Sequence, residues 1–77
     1  MIANTLMKTR ILIEPLLFGD FYVAVYDEKN DLLLDKKYFT PSLLSANMAA
    51  VDLKQRTEWR GAEIYLFDGD KEISIYD

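Results

Sequence analysis

The chain has 77 residues, 51% of them hydrophobic and 29% charged, which is enough for one folded domain over residues 1–77 and too little for a cleft between two lobes. It contains neither Cys nor His, so no disulfide can form and a structural zinc site lacks its usual ligands; a core that buries only about 60% of the unfolded surface must then rely on packing or on a partner. The net charge is −4, and all of the excess lies after Gly61, where Glu63, Asp68, Asp70, Glu72 and Asp77 face Lys71 alone; an acidic chain with no basic cluster is repelled by phosphate backbones, so direct nucleic-acid binding is not expected.

Leu6 to Glu14 reads as a strand. Met7, Thr9, Ile11 and Ile13 alternate with Lys8, Arg10, Leu12 and Glu14, with Leu12 the one position that breaks the polar face. Pro15 ends it and Gly19-Asp20 signals a turn. Phe21 to Asp27 is the clearest strand. Phe21, Val23 and Val25 share one face, and Tyr22, Ala24 and Tyr26 the other, so both faces are apolar and a central place in the sheet is expected. Glu28 to Asp31 forms a loop, and Leu32 to Phe39 returns as a third strand. Pairing Val25 with Leu34 sets Val23 against Lys36, Phe21 against Tyr38 and Tyr22 against Lys37.

Thr40-Pro41 reads as a helix start, with Thr40 as the cap and Pro41 at the first helical position, where its missing N–H is not needed. The helix is expected to run to about Trp59 or Arg60 and to be closed by Gly61. Leu44, Met48 and Val51, with Leu43 beside them, recur at the spacing of a core stripe, and Ala46, Ala49, Ala50 and Leu53 make a smaller flank. Ser45, Asp52 and Arg56 form a narrow polar strip.

The last two strands meet at Asp68-Gly69-Asp70-Lys71. With Gly69-Asp70 as the central pair, Leu66 faces Ile73 and Ile64 faces Ile75, which keeps one face apolar; the alternative turn sets Leu66 against Lys71. The order β-β-β-α-β-β predicts a two-layer α+β fold, an antiparallel sheet with one helix on one face. One helix is about 10 Å wide, whereas five strands span roughly twice that, so the sheet's far face must be exposed or covered by something else. Tyr22, Tyr26, Tyr65, Phe67 and Tyr76 fall on it. Such a face is either a water-tolerant aromatic surface or a contact for a partner.

Chemistry is poorly represented. Ser42, Ser45 and Ser74 have no His to serve as a base, and three glycines make no phosphate loop. Asp68 to Glu72 lacks the spaced ligands of a calcium loop, so no catalytic residue, metal or cofactor is assigned. Nothing in the sequence reads as a membrane span or signal peptide, so a cytoplasmic protein is expected.

The run Thr40-Pro41-Ser42-Leu43-Leu44-Ser45-Ala46-Asn47-Met48-Ala49-Ala50, followed by Trp59-Arg60-Gly61-Ala62-Glu63-Ile64-Tyr65-Leu66 and a closing hairpin, resembles small phage-encoded accessory proteins, among them inhibitors of CRISPR surveillance complexes. The resemblance covers residues 40–77 and rests on element order. It implies a non-enzymatic inhibitor that binds by surface contacts in the host cytoplasm. Strands followed by an Ala-rich helix also resemble small antitoxin domains related to a degenerate ribonuclease H fold. Two functions are therefore expected. The first is a binding protein for a partner with a basic surface, using Asp68, Asp70 and Glu72 for steering and Tyr22, Tyr26, Tyr65, Phe67 and Tyr76 for contact; the acidic hairpin can equally serve only solubility. The second is a self-associating, possible homodimer domain that uses the close approach allowed by Ala46, Ala49 and Ala50; the same alanines equally suit close packing on the sheet.

Overall fold

A computed structural model describes residues 9–27, 32–35 and 37–75. Leu6 to Lys8 of the first expected strand, the loop Glu28 to Asp31, the pairing partner Lys36, and Tyr76 and Asp77 lie outside them. The elements are β1 (Thr9–Pro15), β2 (Phe21–Asp27), β3 (Tyr38–Thr40), α1 (Leu43–Gln55), a 3₁₀ turn (Thr57–Trp59), β4 (Glu63–Phe67) and β5 (Glu72–Ser74). One helix packs on one five-stranded sheet, the α+β class that the element order implies.

The strands lie in the order β3-β2-β1-β4-β5. Three neighbouring pairs are antiparallel, but β4 runs parallel to β1, so the sheet is mixed rather than antiparallel throughout. The reason is directional. β3 runs the same way as β1 and ends at the same edge; α1 then carries the chain back along the sheet by about 20 Å. The next strand must set out from where β1 began.

The middle strand is β1, and β2 is interior beside it. Ile11, Leu12 and Ile13 are consecutively buried. Leu12, which broke the alternation, thus marks a strand covered on both faces. β2 keeps its expected bounds. β3 is shorter than expected. Leu33 still bridges Tyr26 and the Leu34 amide donates to the Val25 carbonyl, in the expected register. By Tyr38 that register has slipped by two, so Val23 faces Tyr38, Tyr22 faces Phe39 and Phe21 faces Thr40. A slip of two preserves the face of every side chain, which is why the apolar pattern tolerates it.

The helix cap is Ser42, not Thr40. Thr40 is the last residue of β3, buried, with its hydroxyl directed to the Phe21 carbonyl. Ser42 accepts a hydrogen bond from the Ser45 amide at 3.1 Å, and its own amide donates to the Ser45 hydroxyl at 3.3 Å, a reciprocal capping box. The helix stops at Gln55 because Arg56 is extended (φ −70°, ψ 149°). Continued helically, Trp59 would stand about 120° from the face of Leu53; the break returns Trp59 to the core. Arg56 meanwhile donates to the Tyr38 hydroxyl at 3.3 Å and lies 3.8 Å from Asp35, tying the helix end to the β3 side. Gly61 then turns the chain at φ +90°.

The core joins Ile11, Ile13, Val23, Val25 and Ile64 to Ala46, Ala50 and Leu53 of α1. The helix therefore presents its small-residue flank to the sheet. Of the larger stripe, Leu44 is 71% and Met48 65% exposed, while Val51 is half-buried and packs against the edge of the core. Alanines carry only a methyl group and so let the helix axis come close, and the branched residues of the strands fill the remaining space.

Candidate functional site

The sheet face opposite α1 is laid out in rows. Phe39, Tyr22 and Glu14 are successive partners; so are Ala24, Leu12, Tyr65 and Ser74, and then Leu33, Tyr26, Arg10 and Glu63. Phe67 pairs with Glu72 at the β5 end. Tyr22, Tyr26, Tyr65, Phe67 and Glu72 of the expected contact set therefore share one face, Asp68 and Asp70 sit at the turn beyond it, and Tyr76 is not among the described residues.

The face is not simply open. Ala24 and Leu12 are buried although no helix covers them. The Tyr22 and Phe39 rings meet edge to face at 6.0 Å, and the Lys37 ammonium lies 5.4 Å from the Tyr22 ring. Tyr65 donates its hydroxyl proton to Glu63. Tyr22, Tyr26, Tyr65 and Phe67 are half-buried, while Phe39 stands 59% exposed at the β3 edge.

Sequence reading missed Arg10. Its guanidinium lies 5.2 Å from the centre of the Tyr26 ring and grips Glu72 with a fork, Nε to Oε1 at 3.0 Å and Nη2 to Oε2 at 3.4 Å. Its side chain is only 12% exposed, so water screens the pair less than an ordinary surface ion pair. Arg10 thereby reaches across β4 and fastens β5 to the sheet. The available signal was an arginine next to the buried Ile11 of β1, on the sheet face that also carries Tyr22, Tyr26 and Tyr65.

The acidic hairpin also has internal work. Gly69, at φ +99°, takes the first central position of the turn, and the Leu66–Ile73 and Ile64–Ile75 juxtapositions are as the apolar pattern required. The Asp68 carboxylate accepts the amides of Lys71 and Asp70, each at 2.9 Å. Those donors, Lys71 first, hold the Asp68 carboxyl below its ordinary value of 3.8. A depressed folded value stabilises the turn above the unfolded one, and the gain is lost as pH falls through the folded value. The Lys71 and Asp70 amide resonances should therefore shift together in an acid titration followed by NMR, with a midpoint below 3.8; a midpoint at or above it would mean that the carboxylate is not latched. Of the three acids expected to steer a partner, Asp68 latches its own turn and Glu72 holds Arg10. Asp70 is exposed beside them.

Among the described residues, no three acidic side chains gather into a metal-binding group, and no helix is long and apolar enough to cross a membrane. No protein-family model, curated protein or solved structure matches the chain.

Proposed function

We propose that this chain is a non-enzymatic binding protein that occupies a basic surface on a macromolecular partner, in the manner of the small phage-encoded inhibitors that it resembles. The observation that carries the reading is the aromatic sheet face rimmed by acids. Tyr22, Tyr26, Tyr65 and Phe67 are half-buried, and Tyr22 and Tyr26 are held by ring and cation contacts and Tyr65 by its hydrogen bond to Glu63, so these three have less side-chain freedom to lose on binding. Phe39 extends the surface at its edge, and Glu63 and Asp70 supply exposed negative charge. Opposite potentials raise the association rate more than the final affinity. A nucleic-acid-binding complex is the favoured target because its own ligand is a polyanion.

The test is affinity capture from host lysate, with the retained protein then purified and titrated against variants. Glu63→Gln with Asp70→Lys avoids the latched Asp68 and the paired Glu72 and leaves an acceptor for the Tyr65 hydroxyl. It should slow association by about tenfold or more at low salt, and less as salt rises. Phe39→Ala should speed dissociation. Unchanged binding in both variants ends this reading.

A second reading has one observation in its favour. Three antiparallel strands, a helix, and a fourth strand returning parallel to the first are compatible with the resemblance to antitoxin domains, with β5 as an addition. A toxin whose activity the chain suppresses on co-expression would favour it.

A further inference from the structure

The loop between β1 and β2 carries the two most exposed large apolar side chains among the described residues, Leu17 at 94% and Phe18 at 91%. Neither belongs to the core or to the residues packed against it. The loop closes without them. The Leu16 amide donates to the Asp20 carbonyl at 2.7 Å and the Gly19 amide to the Leu16 carbonyl at 3.4 Å. Gly19 takes the left-handed backbone, at φ +87°, that brings the chain round. Turn positions of this kind are dominated by Pro, Asn, Asp, Ser and Gly, not by Leu and Phe. A single apolar residue in water calls for no explanation, but two adjacent ones at the tip of a closed hairpin, against turn chemistry, do.

We infer that Leu17 and Phe18 are an anchor that enters an apolar pocket, rimmed by Lys or Arg, on a protein partner. The charge around the tip selects that occupant. Asp20 stands at the base of the loop, and Glu14 pairs with Tyr22 just inside it. β4 runs parallel to β1 with Leu66 beside Ile13, so the Asp68–Lys71 turn reaches the same end of the sheet. Glu14, Asp20, Asp68 and Asp70 thus gather there against Lys71 and against Lys37, which lies over the Tyr22 ring. An apolar tip among acids complements an apolar pocket with a basic rim. A lipid surface is a poor match, because apolar side chains are held at an interface together with basic residues that meet anionic headgroups. A second copy is a poor match too, because the open groove along α1 has Asp52 as its one charged lining residue. The loop is closed by its own hydrogen bonds before binding, so little backbone ordering opposes the contact. Phe18 is the larger contributor, since an aromatic ring seated in a desolvated pocket dominates an interface. Such an anchor presupposes the partner with a basic surface proposed above, and it sets the strongest contact at the end of the sheet.

Two arms test it on the full chain. In the first, Phe18→p-benzoylphenylalanine keeps an aromatic ring at the tip and is irradiated in host lysate. The expected result is a crosslink to one protein, at a segment bearing Lys or Arg, which excess parent chain suppresses and excess Leu17→Ser with Phe18→Asn does not. In the second, the protein retained by affinity capture is purified and titrated. Phe18→Asn should weaken binding by about thirtyfold or more and Leu17→Ser by less, while Asp20→Asn should slow association at low salt. Both tip substitutions suit a turn, so the double variant should melt within a few degrees of the parent. No crosslink, or binding that the double variant leaves unchanged, overturns the anchor. So does a double variant that melts far below the parent, which would give the pair a duty in the fold. Sedimentation with phosphatidylcholine–phosphatidylserine vesicles that the double variant abolishes would assign the tip to lipid instead. Binding that survives the double variant but dissociates faster with Phe39→Ala overturns the anchor and keeps the sheet-face reading. Binding lost in the double variant and indifferent to Phe39→Ala does the reverse, and a chain that retains no protein overturns both.

Discussion

Ile64→Ala is expected to cost about 2–5 kcal/mol, the range for removing a buried isoleucine whose neighbours cannot close the cavity. Ile64 is fully buried, stands beside Ile11 in the parallel β1–β4 pairing, and belongs to the core beneath α1. A domain of 77 residues has a total stability of roughly 4–12 kcal/mol, so this one change removes a large share of it. Urea denaturation should show the midpoint falling by about 2 M or more with the slope unchanged. Ile73→Ala is the control. Ile73 belongs to the same hairpin and points to the same side, but the helix does not cover β5, and Ile73 is exposed. Its loss should stay below about 1 kcal/mol. Equal costs at the two positions would contradict a core that includes β4 and leaves β5 uncovered.

Ala50→Leu is the second large effect, and its sign is the reverse of what helix patterning implies. Ala50 is fully buried between α1 and the sheet, in one cluster with Val23, Val25 and Ile11. A larger side chain there must push the helix outward or adopt a strained rotamer, at about 1–3 kcal/mol. Met48→Ala, at a position with the periodicity of a core residue, should change stability by no more than about 0.5 kcal/mol. Thermal melts of the two variants discriminate directly. In a domain of this size each kcal/mol is worth about 4–8 °C, so Ala50→Leu should melt well below the parent and Met48→Ala within a few degrees of it.

These variants mark where sequence reasoning succeeds and where it stops. A strand has two faces, and the alternation of apolar residues decides between them. That is why β2, the register of the final hairpin and the grouping of Tyr22, Tyr26, Tyr65 and Phe67 on one face were legible from residue order. The slip of β3 was invisible to the same rule, because moving a strand by two residues leaves every side chain on its own side. A helix has a continuum of directions. In Leu43–Gln55 apolar residues occupy most of the circumference, so the pattern left the inward direction undetermined, and the large stripe was the wrong choice. The internal duties of Asp68 and Glu72 were hidden for a different reason: each depends on partners brought close only by folding, backbone amides for Asp68 and Arg10, 62 residues away in sequence, for Glu72.

Residue order alone thus determined the α+β class, the closing hairpin, the localisation of negative charge after Gly61 and the want of His and Cys for nucleophilic chemistry. Each follows from local periodicity, turn chemistry or composition. Only the tertiary structure decided that β4 returns parallel to β1, that Leu12 makes β1 the middle strand, that Arg10 locks the far face, and that Leu44 and Met48 look outward. The first follows from the direction in which α1 returns the chain, and the last depends on the distance at which a helix can settle on a sheet. That distance is set by the alanines that face inward, and the alanines take that role only once the strands beneath them are assembled.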